Sequence, residues 1–175
     1  MRRLLIWLPL AIFLLFLATI VYRLSYPAEP LIRSHLIGKR LPQFVLPAAA
    51  SGKPGLASAD LANGQPHILN IFASWCVPCM AEAPQLAELA KRGIPIDAIA
   101  IRDRPADVSA FLARWGDPYQ RIGSDTASKV QLALGSSGVP ETFIIDGKGI
   151  IRHQHIGDIR PEHVPEIVSA YEAAR

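Results

Sequence analysis

With 175 residues, half of them hydrophobic and 19% charged, the chain is long enough for one domain with a genuine core. Its net charge of +3 and pI near 9.1 come from Arg2, Arg3 and Arg23, because residues 24–175 carry fifteen basic and fifteen acidic side chains. With no polybasic run and no internal repeat, the composition argues against nucleic-acid binding and against a repeat architecture.

After Met1-Arg2-Arg3 the chain is apolar from Leu4 to Tyr22. As a helix these residues would extend about 28 Å, close to the hydrocarbon thickness of a bilayer. A cleaved signal peptide is the rival reading. It calls for a shorter apolar core and a small-x-small cleavage site, whereas bulky Ile20, Val21, Tyr22 and Leu24 follow Ala18. The expectation is therefore an uncleaved N-terminal transmembrane anchor over 1–23, a tether over 24–37 containing Pro27 and Pro30, and a domain over 38–175. Basic residues before the span favour a cytoplasmic N-terminus, and dithiol chemistry favours an oxidising compartment for the rest. The expected placement is the cell inner membrane, single-pass, with the C-terminal domain facing the periplasm.

Within the domain, Gln43–Leu46 reads as a short strand, and Ala48–Pro66 is rich in small residues with a helical turn at Ser58–Ala62. Ile68–Ala73 is an almost unbroken apolar run, as in a strand buried on both faces. A helix follows Cys79 and contains Pro84, which removes a donor inside it. Pro95–Ile101 is the next strand. Arg104-Pro105 starts a helix carrying Val108, Phe111, Leu112 and Trp115 at helical spacing. Gln120–Ile122 reads as a short strand and Ser124–Leu134 as a short helix. Thr142–Ile145 and Ile150–His155 flank Asp146-Gly147-Lys148-Gly149 as a hairpin, and a last helix runs from Arg160-Pro161 to about Ala173. This order predicts an α/β fold, a mixed sheet with helices on both faces.

The chemistry concentrates in Trp75-Cys76-Val77-Pro78-Cys79, which holds both cysteines of the chain. A cysteine at a helix N-terminus meets unpaired N–H groups and the positive end of the helix dipole, so its thiolate is stabilised. A second cysteine about one turn further on can reach back and close a disulfide. An inert structural bridge would close a loop too short to remove much chain entropy. Structural zinc would need four ligands, and no second CxxC exists. A CxxC copper metallochaperone using His35, His67, His153, His155 or His163 stays open, although none of them shows ligand spacing to the cysteines. The residues favour reversible dithiol chemistry. Glu82, three positions after Cys79, is either a solvated helix residue or the group that manages the proton of Cys79.

The combination of Trp75-Cys76-x-x-Cys79, Pro84 and Val139-Pro140 before the hairpin resembles the thioredoxin superfamily over residues 38–175. Several further features narrow the resemblance to the DsbE/CcmG family of thiol:disulfide interchange proteins. They are Asn70, Glu82, Arg102-Asp103, Trp115-Gly116-Asp117-Pro118-Tyr119 and Val139-Pro140-Glu141-Thr142-Phe143-Ile144-Ile145-Asp146. The Gly135-Ser136-Ser137-Gly138 loop departs from the family's form.

The resemblance implies a thioredoxin-like sheet, a cis bond before Pro140, and reduction of the CxxCH disulfide of apocytochrome c or of its partner thiol protein for haem attachment. Cys76 is then the nucleophile, Cys79 resolves the mixed disulfide, and Glu82 serves the buried thiol. Trp75, Val139, Pro140 and Glu141 line the substrate groove, with Glu141 tuning the thiols or selecting a basic partner. Pro84 and Asn70 are structural. The redox-active disulfide is the only cofactor implied; the further partners are an electron donor of the DsbD/CcdA type and, through the N-terminal helix, the membrane. Another envelope reductant or oxidase of the TlpA/ResA type is the alternative. A peroxiredoxin is disfavoured, because its threonine-containing loop is missing.

Overall fold

The computed structural model describes residues 2–25 and 34–175, with side chains described for 7–23 and 34–175. The chain divides into two compact units, 1–31 and 32–175.

The first unit is helix α1, Arg2–Ser25, with Pro9 inside it and Thr19 Oγ1 donating to the carbonyls of Leu15 and Phe16. It corrects the expectation of a membrane anchor. Among the described residues no helix is long and apolar enough to cross a membrane. The transmembrane helix, the single-pass inner-membrane placement with a periplasmic domain, and the membrane as a partner are therefore not upheld.

The second unit is built on a five-stranded mixed sheet. Its strands are β3 (His67–Phe72), β4 (Ile96–Ile101), β5 (Ile122–Asp125), β6 (Glu141–Ile145) and β7 (Ile151–Ile156), in the spatial order β5-β4-β3-β6-β7. β3 pairs parallel with β4 and antiparallel with β6, so the run read as doubly buried is the central strand. Every residue of β3, β4 and β6 is buried, and this is why their sequences lack the alternation of a half-exposed strand. Helices α2 (Val77–Lys91), α3 (Pro105–Trp115), α4 (Lys129–Ala133) and α5 (Val164–Ala173) flank the sheet. Leu86 and Leu89 of α2, Val108 and Phe111 of α3 and Ile167 of α5 join Phe72, Ile99 and Phe143 in one core. Phe72 lies between the rings of Phe111 and Tyr119, at centroid distances of 5.3 and 5.2 Å.

A small antiparallel ribbon, β1 (Val45–Leu46) with β2 (Leu56–Ala57), closes over β5. Gly123 of β5 permits that approach, since a Cβ there would fall 2.8 Å from Cβ of Leu46. The hairpin between β6 and β7 turns on Asp146, whose Oδ1 accepts the N–H of Lys148 at 2.9 Å and of Ile150 at 3.0 Å.

One predicted helix is corrected. Ser124–Leu134 is not a single helix: Ser124 and Asp125 end β5, and the helix occupies only Lys129–Ala133. Asp125 separates the two. It pairs with Ile101 in the sheet while its buried carboxylate accepts the N–H groups of Lys129, Val130 and Gln131, each at 2.9 Å. Asp125→Ala leaves those three donors without their acceptor and should cost about 2 kcal/mol. Urea unfolding should show a lower midpoint with an unchanged slope.

Candidate active site

The parallel strands β3 and β4 end at one edge of the sheet, and antiparallel β6 begins there. Three chain segments therefore converge on the N-terminus of α2. Cys76 is the N-cap of that helix, with extended φ and ψ of −87° and 110°. The N–H of Cys79 donates to Cys76 Sγ at 3.2 Å, and the two cysteines form a disulfide across a Cα separation of 5.3 Å. On reduction the same N–H and the helix dipole stabilise negative charge on Cys76. Val77 and Pro78 fill the first turn, where a proline's missing N–H costs nothing. Pro84 lies further along on the exposed side of the same helix.

The loop leading into Cys76 is pinned by Asp103, just beyond β4. Its carboxylate accepts the backbone N–H of Ser74 at 2.6 Å and the Ser74 hydroxyl at 2.7 Å. Trp75 stands out, 56% exposed, with its indole N–H 3.4 Å from the carbonyl of Arg102. Arg102 itself has a φ of 49°, and its guanidinium donates to Ser128, which has a φ of 54°. Two non-glycine residues in the left-handed region, joined by a side-chain bond, shape this rim. Beside it lies a cavity of about 550 Å³ whose lining includes Trp75, Met80, Arg102, Phe111, Arg114 and Trp115.

Opposite, the Val139–Pro140 bond is cis. Since Ile71 pairs with Glu141, Pro140 lies one register step beyond, level with the end of β3 that leads to the cysteines. Val139 is half-buried and Pro140 buried. Glu141 departs from its expected place on the groove. It is fully buried, and its carboxylate accepts from Ser136 Oγ (2.8 Å), the N–H of Ser137 (2.9 Å) and Gln154 Nε2. The short polar side chains of the Gly135–Gly138 loop serve as its donors, so Glu141 anchors that loop and presents no charge to a partner.

Glu82 is fully buried one turn beyond Cys79, on the same inward face of α2. Its Oε1 accepts from Asn70 Nδ2 at 3.0 Å and its Oε2 from the N–H of Ile159 at 3.1 Å. Burial pushes its carboxyl from the ordinary 4.5 up to about 7, helped by the nearby charge of Asp158 and opposed by the two hydrogen bonds. Asn70 also donates to Thr142 Oγ1 at 3.1 Å and accepts from the Tyr119 hydroxyl at 2.9 Å. The structure thus brings Cys76, Cys79, Trp75, Val139 and Pro140 to one sheet edge, with Glu82 and Asn70 beneath.

Asp103 and Tyr119 received no role from the sequence. Asp103 had a faint signal, a carboxylate after a strand parallel to the one bearing the motif. Tyr119 stood only within the Trp115–Tyr119 stretch that carried the resemblance and gained no role there, because its contact with Asn70 spans 49 positions.

The histidines lie elsewhere. His67 Nδ1 is 2.7 Å from Asp97, and the rings of His155 and His163 are 4.6 Å apart, with His155 Nε2 3.3 Å from the carbonyl of Asp158. Among the described residues no group of three or more His, Cys, Asp or Glu is arranged to hold a metal ion.

Comparison with known proteins agrees with this geometry. The redoxin family matches residues 36–173. The thiol:disulfide interchange protein DsbE of Pseudomonas fluorescens biotype C is 42% identical over 161 residues, 91% of this chain and 88% of that protein. DsbE of Escherichia coli (strain K12) is 36% identical over 165 residues, 92% and 89% of the two chains. Among solved structures, a thiol:disulfide interchange protein of the thioredoxin family from Chlorobium tepidum TLS superposes with a TM-score of 0.61 at 25% identity, covering 77% of this chain and 94% of that one.

The raised Glu82 carboxyl makes stability depend on pH. A group that holds its proton more tightly when folded contributes stability below its unfolded value of 4.5 and loses it as pH rises through about 7. The loss is about 3 kcal/mol at one pH unit per 1.36 kcal/mol. Urea unfolding of the oxidised protein at pH 5 and pH 8 should show this decline, and Glu82→Gln should flatten it.

Proposed function

The chain belongs to the DsbE family of thiol:disulfide interchange proteins, and from that premise we propose that it reduces the disulfide of the CxxCH haem-attachment motif in apocytochrome c, or in a partner thiol protein that serves it. Thiol:disulfide interchange is the activity of the Cys76–Cys79 pair. The observation that carries the reductive reading is the pairing of a helix-capping Cys76 with a buried carboxyl one turn beyond Cys79. The first favours a thiolate nucleophile, and the second offers a place for the proton of the resolving thiol.

In this mechanism the Cys76 thiolate attacks one sulfur of the substrate disulfide, forming a mixed disulfide and releasing the other sulfur as thiolate. Cys79 then gives its proton to Glu82 and attacks Cys76 Sγ. The substrate leaves as a dithiol and the protein as the disulfide. Trp75 and the backbone of Val139, beside cis-Pro140, receive the extended segment bearing the target cysteines. A thiol electron donor of the DsbD/CcdA type restores the dithiol. Glu141, turned inward, holds the loop before Pro140 and takes no part in charge selection.

Cys79→Ser tests the substrate. Expressed as the full chain in cells that make c-type cytochromes, this variant should accumulate a mixed disulfide through Cys76. Mass spectrometry should identify apocytochrome c or a thiol protein that acts on it, and Cys76→Ser should retain none. A broad collection of unrelated cysteine proteins would instead mark a general oxidoreductase.

A further inference from the structure

Tyr119 is buried, follows Asp117-Pro118 after α3, and belongs to neither the motif nor the sheet. Its ring is stacked on Phe72 with an interplanar angle of 19°. Its backbone is tied down at both ends: the N–H donates to Asp117 Oδ1 at 3.3 Å and the carbonyl accepts from Lys53 Nζ. Lys53 in turn forms an ion pair with Asp117 at 2.8 Å. Among the described residues the hydroxyl has one partner, Asn70 Oδ1, at 2.9 Å. Burial holds that hydroxyl well above its usual range, so it remains a neutral donor throughout the working pH range.

The consequence lies at the other end of Asn70. With its oxygen engaged by Tyr119, the amide must point its two N–H bonds toward Glu82 Oε1 and Thr142 Oγ1. Turned over, it would set its carbonyl oxygen against the Glu82 carboxylate, acceptor against acceptor, an arrangement tolerable only if Glu82 carries a proton.

We propose that Tyr119 is a positioning residue for the resolving step: by donating to Asn70 it locks the amide with its N–H toward Glu82, and so keeps that carboxyl able to take the proton of Cys79. This rests on Glu82 being the proton acceptor. In the step served, the Cys79 proton passes to Glu82 and the Cys79 sulfur bonds to Cys76 Sγ. The bond between Cys76 and the substrate breaks, with its electron pair on the substrate sulfur. Cys79 shares the buried side of the helix with Glu82, and the groups that act on Glu82 from other elements are Asn70 from β3 and Asp158 with the N–H of Ile159 from the turn after β7. Tyr119, backed by the Asp117–Lys53 pair, acts through Asn70. Asp158 opposes ionisation of Glu82; the two N–H donors favour it.

Tyr119→Phe keeps the ring and removes only the hydroxyl. Carbon-13 NMR of the full chain labelled at glutamate carboxyls reads the Glu82 titration directly, with its resonance assigned by loss in Glu82→Gln. The midpoint, near 7 in the parent chain, should move up by about one pH unit in Tyr119→Phe. Stopped-flow resolution of a mixed disulfide between Cys76 and thionitrobenzoate should slow up to about ten-fold below pH 7 and converge with the parent above pH 9. In an Asn70→Ala background, adding Tyr119→Phe should move neither readout further.

A midpoint that stays within about 0.2 units in Tyr119→Phe, or that shifts equally without Asn70, overturns the assignment. An acidic limb that survives in Glu82→Gln removes Glu82 as acceptor and the assignment with it. Because thionitrobenzoate is no cytochrome segment, none of these results bears on which protein is reduced. Should Tyr119→Phe fold poorly, Asn70→Ala alone decides: an unmoved Glu82 midpoint there overturns the proposal.

Discussion

A carboxyl group buried beneath a disulfide constrains everything around it. Glu82 has no access to water, so each of its oxygens must find a donor inside the protein. One is the side chain of Asn70 on the central strand, and the other is the backbone of Ile159 after the last strand. These two bonds tie α2 to β3 and to the turn before α5, fixing the helix that carries the cysteines against the sheet. They are too few to offset full burial, so the carboxyl stays half-poised near neutrality. A group in that condition can hold or release a proton near neutral pH, which is what the proposed transfer from Cys79 asks of it.

The direction of β6 makes the rest of the site. In a wholly parallel sheet, the start of every strand would lie at the edge away from the α2 N-terminus. Because β6 runs antiparallel to β3, its beginning, with cis-Pro140, arrives at the edge where β3 and β4 end. Asp103 at the end of β4 pins the approach to Cys76, and Glu141 at the start of β6 pins the loop before Pro140. Two carboxylates, both turned inward, thus position the two walls on either side of the disulfide. A buried acid with several donors is a rigid fastening, since losing any one donor leaves desolvated charge uncompensated.

The local pattern was legible where one physical signal dominated. The apolar run of β3, the proline-started α3 and the Asp146–Gly149 hairpin all lie close to where their sequences put them, because burial, φ restriction and turn chemistry act over a few residues. Ser124–Leu134 misled because Asp125 serves two elements at once, ending a strand and capping a helix. Glu141 misled for a related reason: its place beside Pro140 suggested a surface role, and only the fold shows the serines and Gln154 gathered around it. The apolar run of α1 suggested a membrane span, yet among the described residues no helix is long and apolar enough to cross a membrane.

What the sequence determined by itself is the chemistry: two cysteines at a helix start after a buried strand, with a glutamate one turn beyond. Those relations are set by the geometry of a single helix and need no distant contact. The tertiary structure alone decided how that chemistry is tuned. Asn70, Thr142 and Tyr119 are separated by 72 and 49 positions from one another's contacts, and Glu82 and Ile159 by 77. No short-range pattern encodes hydrogen bonds across such spans. They exist because strand order and helix packing bring these groups together where water is excluded and every donor must find its acceptor.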